Sequence, residues 1–182
     1  LDSVNTIADG IAVKQASGTM VDLLKKTIDD IAHVPDETIA EAMLMLLEKA
    51  KTVAEASGAI TLAVAEKMKA KLKKKKVVLI ISGGNVDVNI LGRVIDRGLI
   101  KAGRRLRVNV NISDIPGSLS RLTALLAQHG ASVIQAIHDR NELSMGFQDT
   151  MVELTLETRG HEHSKAVLNA LKQAVSKIDV LH

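Results

Sequence analysis

Cysteine, tryptophan and tyrosine are absent from this chain, and Phe147 is its one aromatic residue. The missing thiols exclude a disulfide, a thiolate metal centre and a cysteine nucleophile. The missing aromatics remove the platforms on which single-stranded nucleic acid stacks. A net charge of only +3 adds no electrostatic case for such a partner. All of it lies in residues 1–104, because residues 105–182 carry eight basic and eight acidic groups. Lys69, Lys71 and Lys73 to Lys76 crowd one stretch. It reads as a solvated helix end and loop, since no arginine or aromatic stands beside it to mark a phosphate site. No apolar run reaches the ~18 residues that would cross a membrane. What remains for a core is Leu, Ile, Val, Ala and Met, within an ordinary hydrophobic content of 46%. At 182 residues there is room for one full domain or two small ones.

The most informative stretch is Ser82-Gly83-Gly84-Asn85. The apolar run Val77-Val78-Leu79-Ile80-Ile81 before it predicts a buried strand, and helical spacing runs from Val86 to about Ile100. A strand that ends in Ser-Gly-Gly and turns into a helix can hold a small polar ligand. Glycine lets the backbone come close with positive φ, the helix start offers unpaired N–H groups, and serine supplies a hydroxyl. The competing reading is a plain tight turn. Upstream, a helix is expected over Met20 to Ile28 and a short strand over Asp29 to Val34. Asp36 reads as an N-cap, followed by Ile39, Met43, Leu46, Leu47 and Ala50 at helical period. A turn over Thr52 to Gly58 leads to another helix, Ile60 to Lys71. Gly98 to Arg105 is the expected boundary, dividing the chain into 1–104 and 105–182.

The second part has the clearer pattern. Leu106, Val108, Val110 and Ile112 alternate with Arg107, Asn109, Asn111 and Ser113, which predicts a one-sided strand. Pro116 opens a helix with Leu119, Leu122, Leu125 and Leu126 on its face, closed by Gly130. Strands over Ala131 to Ile137 and Met151 to Glu157 follow. A helix over His161 to Ala174, with Val167, Leu171 and Ala174 inward, precedes a last strand, Ile178 to Leu181. The order β-α-β-β-α-β predicts a ferredoxin-like sandwich. Asn109, Asn111, Glu153 and Thr155 on the strand faces argue against RNA binding by this fold, which stacks bases on sheet aromatics. His161 and His163 stand two apart at a helix start and point to different sides, so no metal site is expected. His138-Asp139-Arg140 reads as a polar strand end, and Ser82 lacks the G-x-S-x-G elbow of a hydrolase triad.

The loop Asp114-Ile115-Pro116-Gly117-Ser118-Leu119 resembles the D-x-P-G-x-L signature of ACT domains, the amino-acid-sensing modules of metabolic enzymes. The resemblance implies an effector site at Asp114, Ile115, Pro116, Gly117, Ser118 and Leu119, and a homo-oligomer formed through ACT parts. Gly117 would let backbone N–H groups approach a carboxylate, and Asp114 would cap the helix or take an ammonium group. Thr6 to Gly10, Asp29-Asp30-Ile31, Asp36 to Ile39, Val53 to Ala59 and Ser82 to Asp87 stand in the order found in threonine dehydratases (threonine ammonia-lyases). The first part is thus similar to the C-terminal portion of a pyridoxal-phosphate catalytic domain of the tryptophan-synthase-β fold, whose members include serine racemase.

That resemblance implies pyridoxal 5′-phosphate as cofactor, an amino-acid substrate and an amino-acid effector. It implies a cytoplasmic lyase of amino-acid metabolism, in isoleucine biosynthesis, that converts threonine to 2-oxobutanoate and ammonia. Ser82 would bond the pyridine nitrogen, Gly10 would pack on the ring face, and Glu55 and Gly83 would lie near the cofactor. A neutral hydroxyl leaves the ring nitrogen largely unprotonated, which suits elimination. The family usually has Gly or Pro-Thr after that glutamate, where this chain has Ala56-Ser57. No S-F-K-x-R-G-A segment with a Schiff-base lysine and no glycine-rich phosphate loop occurs here, and Leu1-Asp2-Ser3-Val4 reads as the middle of a longer chain. No catalytic residue is therefore assigned within these 182 residues, and alone they are expected to be inactive. Two rivals stand beside this: a non-catalytic amino-acid-binding or dimerisation module, and a serine dehydratase or serine racemase relative.

Overall fold

The computed structural model describes residues 3–139 and 148–181. Phe147 and Arg140 lie outside the described residues. The chain divides into two units, Leu1–Gly98 and Leu99–His182.

The first unit is helical. A single 3-10 turn at Asp9–Ile11 precedes α1 (Gly18–Thr27), capped by Ser17, whose Oγ accepts from Met20 N at 3.2 Å. α2 (Asp36–Met45) runs on into a π-type turn, Leu46–Ala50, that ends at Lys51 with φ 56°. α3 (Ala56–Lys67), the short α4 (Lys69–Leu72) and α5 (Val88–Lys101) follow. Its core is made of small side chains: Ala8, Ala42, Ala54, Ala56, Ala59 and Ala63 are buried with Ile39, Met43, Leu46 and Val94. Alanines on the facing sides of α2 and α3 let the helices approach closely.

Several expectations for this unit are corrected. Neither Val77–Ile81 nor Asp29–Val34 is a strand; both are irregular and largely exposed. Val78 is 91% and Ile80 72% exposed. A strand is stabilised by neighbours on its two edges and faces, and no ladder forms among the described residues of this unit. α3 starts at Ala56, so Ala56, Ser57 and Gly58 are helical and not part of the turn, and the helix expected to run to Lys71 is broken at Met68. Asp36 is not a side-chain cap of its own helix. Its carboxylate instead accepts from Thr6 Oγ1 at 2.7 Å and Ile7 N at 2.9 Å, and the position before it is Pro35. The α5 start is also not an open row of N–H groups. Asp87 Oδ1 accepts from Asn89 N at 2.6 Å, a capping carboxylate that already meets the helix dipole.

The second unit is the predicted sandwich. β1 (Arg105–Ser113), α6 (Ser118–Gln128), β2 (Ser132–Asp139), β3 (Asp149–Glu157), α7 (His161–Ala174) and β4 (Lys177–Leu181) follow in order. The antiparallel sheet has the order β2-β3-β1-β4, with Val108 opposite Leu154 on one side and Val180 on the other. Alternation places Leu106, Val108, Val110, Val152, Leu154 and Leu156 on the face covered by Leu122 and Leu126 of α6 and Val167 and Leu171 of α7. Arg107 Nη2 and Glu153 Oε1 pair at 2.8 Å on the other face. Two expectations shift. α6 begins at Ser118, with Gly117 at φ 88° as its N-cap, because Pro116 and Gly117 form a turn first. Ala174 is exposed, and Ser164 is the third inward position of α7.

The chain joining the units is fixed at its far end by hydroxyls. Gly103 O accepts from Thr158 Oγ1 at 2.6 Å and Ser164 Oγ at 2.8 Å, and all three lie within the second unit. Gly103 has φ 64°, and a Cβ there would meet His161 N at 2.7 Å.

Candidate cofactor and effector sites

The first turn of α3 is where the separated motifs meet. Glu55 sits one residue before the helix, in extended backbone, and its N donates to Gly83 O at 3.3 Å. Its carboxylate lies against Gly83, where a Cβ would overlap it; Gly83 also has φ 75°. Ser57 Oγ donates to Glu55 Oε1 at 2.9 Å, and a Cβ on Gly10 would come within 2.7 Å of that hydroxyl oxygen. Gly58 packs on the carbonyl of Ser82, leaving no room for a side chain, and Thr61 Oγ1 donates to Ile80 O at 3.0 Å. Residues 80–83 therefore run along one side of α3. Asp36 holds Thr6 and Ile7, and the 3-10 turn that follows carries Gly10 to the same place.

Gly10 and Gly83 are thus both brought against the Glu55 side chain, and Ser82 stands beside Gly83. The Ser82 side chain is exposed, and its hydroxyl has no hydrogen-bond partner among the described residues. Ser57 is the residue that sequence reasoning passed over. It appeared only as a departure from the family's pattern, yet its hydroxyl bonds Glu55 and packs beside Gly10. Nothing in its spacing announces that role.

The Asp114–Leu119 loop is arranged differently from the expectation. Asp114 N donates to Gln148 O at 2.8 Å, Ile115 N to Ser113 O at 2.9 Å and Ser118 N to Ile115 O at 3.2 Å. Most of the loop's backbone donors therefore have internal partners. Gly117 makes the sharp turn, and Asp114 is three positions before the N-cap. Ile115, Pro116 and Gly117 are exposed, Asp114 and Leu119 half-buried, and Ser118 buried. His163 is a structural bridge: its Nδ1 accepts from Arg159 N at 2.9 Å, and its Nε2 lies 2.8 Å from His129 O. Among the described residues no group of three or more metal-binding side chains occurs. No helix is long and apolar enough to cross a membrane among them.

Residues 1–83 match the family of pyridoxal-phosphate dependent enzymes, and residues 106–176 match the ACT domain. The first match falls in the helical unit and the second in the sandwich. Among curated proteins it is similar to the L-threonine ammonia-lyase of Thermotoga maritima. The two are 42% identical over 168 residues, which cover 91% of this chain and 41% of that protein. The L-threonine ammonia-lyase of Geobacter sulfurreducens is 38% identical over 176 residues, 97% of this chain and 44% of that protein. The serine racemase of Schizosaccharomyces pombe is 38% identical over 88 residues, 48% of this chain and 27% of that protein. The chain spans less than half the length of these relatives. The resemblance to threonine dehydratases, and pyridoxal phosphate as the family's cofactor, are borne out.

The residues present fit one wall of a site for that cofactor. They offer an unpartnered hydroxyl at Ser82, a carboxylate at Glu55, and glycines at 10 and 83 that keep the surface flush.

Proposed function

We propose that these residues are the C-terminal portion of a pyridoxal-phosphate-dependent threonine ammonia-lyase with an amino-acid-sensing ACT domain. The observation that carries this is the convergence of Gly10, Glu55, Gly83 and Ser82 on the first turn of α3. The 38–42% identity to two L-threonine ammonia-lyases across both units supports it. In this reading residues 1–104 supply part of the catalytic domain and residues 105–182 the regulatory one.

When bound, the cofactor supplies an electron sink that allows loss of the α-proton and then the β-hydroxyl of threonine. Ser82 would hold the pyridine nitrogen through its hydroxyl and fix the ring's rotation. Being neutral, it would not keep a proton on that nitrogen. Glu55 would be oriented by the Ser57 hydroxyl, and Gly10 and Gly83 would let the ring lie close to backbone. The ACT part would pair with that of a second copy and take an amino acid around Asp114–Leu119. A coupling of about 1–3 kcal/mol between effector and active site is typical of such regulation. The setting is a cytoplasmic step of isoleucine biosynthesis.

The test is release of 2-oxobutanoate from L-threonine with added pyridoxal phosphate. Two proteins are compared: residues 1–182, and a chain extended to the length of the relatives. The extended enzyme should turn over, and the 182 residues alone should not, since no lysine here stands in the family's S-F-K context. An extended enzyme that binds no pyridoxal phosphate would end the proposal. A serine racemase relative is the second reading, favoured by the 38% identity over 88 residues of the first part. D-serine formed from L-serine by the extended enzyme, with no 2-oxobutanoate from threonine, would select it.

A further inference from the structure

Asp36 stands in the first turn of α2, yet its carboxylate serves another segment. Thr6 Oγ1 donates to Oδ1 at 2.7 Å, and Ile7 N donates to Oδ2 at 2.9 Å. The same Thr6 hydroxyl oxygen accepts from Ala8 N at 3.1 Å. Ala8 itself is 1% exposed, in the core that also holds Ile39 and Ala42 of α2. The 3-10 turn closes directly on this anchor: Ile11 N donates to Ala8 O at 3.1 Å, and Ala12 N to Asp9 O at 3.0 Å. Gly10, at the centre of the turn, lies against the Ser57 hydroxyl that bonds Glu55. Asp9, Gly10 and Ile11 are all exposed, so the turn buries no side chain that could hold it in place. One isolated 3-10 turn has little stability of its own. Its position is therefore set by the residues just before it, and Asp36 is what fastens them.

We propose that Asp36 is a positioning residue for the cofactor. By holding Thr6 and Ile7 it sets the Gly10 turn against Ser57, and so fixes the wall on which the cofactor ring would lie. This rests on the cofactor reading of Gly10, Glu55, Gly83 and Ser82. A carboxylate in the first turn of a helix also meets the helix dipole, and that role needs the charge but not the two bonds.

Asp36→Ala, Asp36→Asn and Thr6→Val separate the two roles. Asparagine loses the charge and keeps the position: its amide oxygen accepts from Ile7 N and its NH₂ donates to Thr6 Oγ1. The first measurement is the dissociation constant of pyridoxal phosphate from the enzyme extended to the length of the relatives. Asp36→Ala and Thr6→Val should each raise it at least about threefold, and Asp36→Asn should stay within about twofold. The second is amide exchange in residues 1–182. In Asp36→Ala the N–H groups of Ile11 and Ala12 should exchange at least about threefold faster, while those of Ala59 to Ala63 in α3 keep the parent's rate. The proposal fails if Asp36→Asn weakens the cofactor as much as Asp36→Ala, since charge and not position would then matter. It fails if exchange rises equally in α3, or if the turn loosens and the cofactor binds as before, because Asp36 would then be a structural tie alone. In each of these results the unsubstituted enzyme still binds pyridoxal phosphate, and the cofactor reading stands. An unsubstituted extended enzyme that binds none would overturn both.

Discussion

The two units use similar apolar residues and reach different ends. In the sandwich, β1 alternates half-buried and buried along Arg105–Ile112, and each buried residue has a partner across the ladder. In the helical unit, Val77–Ile81 has comparable β propensity, yet Val78 and Ile80 lie open to solvent. Alternation states which face a strand buries, and two helices complete the job within a short span of chain. A continuous apolar run suits a strand covered on both faces, and it says nothing about what does the covering. The helical unit is held instead by close alanine contacts and by polar ties such as Asp36 to Thr6 and Ile7.

The sharpest way to break this comparison is at the centre of the sandwich. Leu154, on β3, is fully buried beneath α6 and α7, so Leu154→Ala should cost about 2–5 kcal/mol of the second unit's stability. Urea unfolding followed by circular dichroism measures it; a loss under 1 kcal/mol, on the order of a surface change, would mean the core is looser than described. Next in size is Asp36→Ala in the first unit. It removes two hydrogen bonds to a half-buried carboxylate, together about 1–2 kcal/mol once solvent screening is allowed for, and frees the segment carrying Gly10. Faster amide exchange at Ile7 and Ala8 should accompany the drop; unchanged exchange there would show that the tie holds nothing. The smallest effect is expected at Val78→Asp, within about 0.5 kcal/mol, because that side chain touches little. A large destabilisation at this position would show that the run is buried after all.

The sandwich was readable because each of its elements alternates or repeats over its own length. Leu106 to Ile112 and Val152 to Leu156 faced as expected, and Gly130 closed α6. The misses were local contests. Gly117 took the cap position that Pro116 was expected to open, and Ser164 stood inward where Ala174 was expected. In the helical unit, Asp36 had the right chemistry for a cap and formed longer-range bonds instead. The meeting of Gly10, Glu55 and Gly83 was not legible from spacing at all. Those positions lie on three segments far apart in sequence, and only the order of the motifs suggested them. The Ser57–Glu55 bond depends on packing that no single segment records.

The central claim is that the Ser82 hydroxyl meets the pyridine nitrogen of the cofactor. It is tested most directly by Ser82→Ala in the proposed enzyme extended to the length of the relatives, with kcat/KM for 2-oxobutanoate formation from L-threonine as the readout. The account predicts a fall of at least about tenfold, equivalent to ~1.4 kcal/mol of lost transition-state stabilisation. An unchanged kcat/KM with full cofactor occupancy would contradict it.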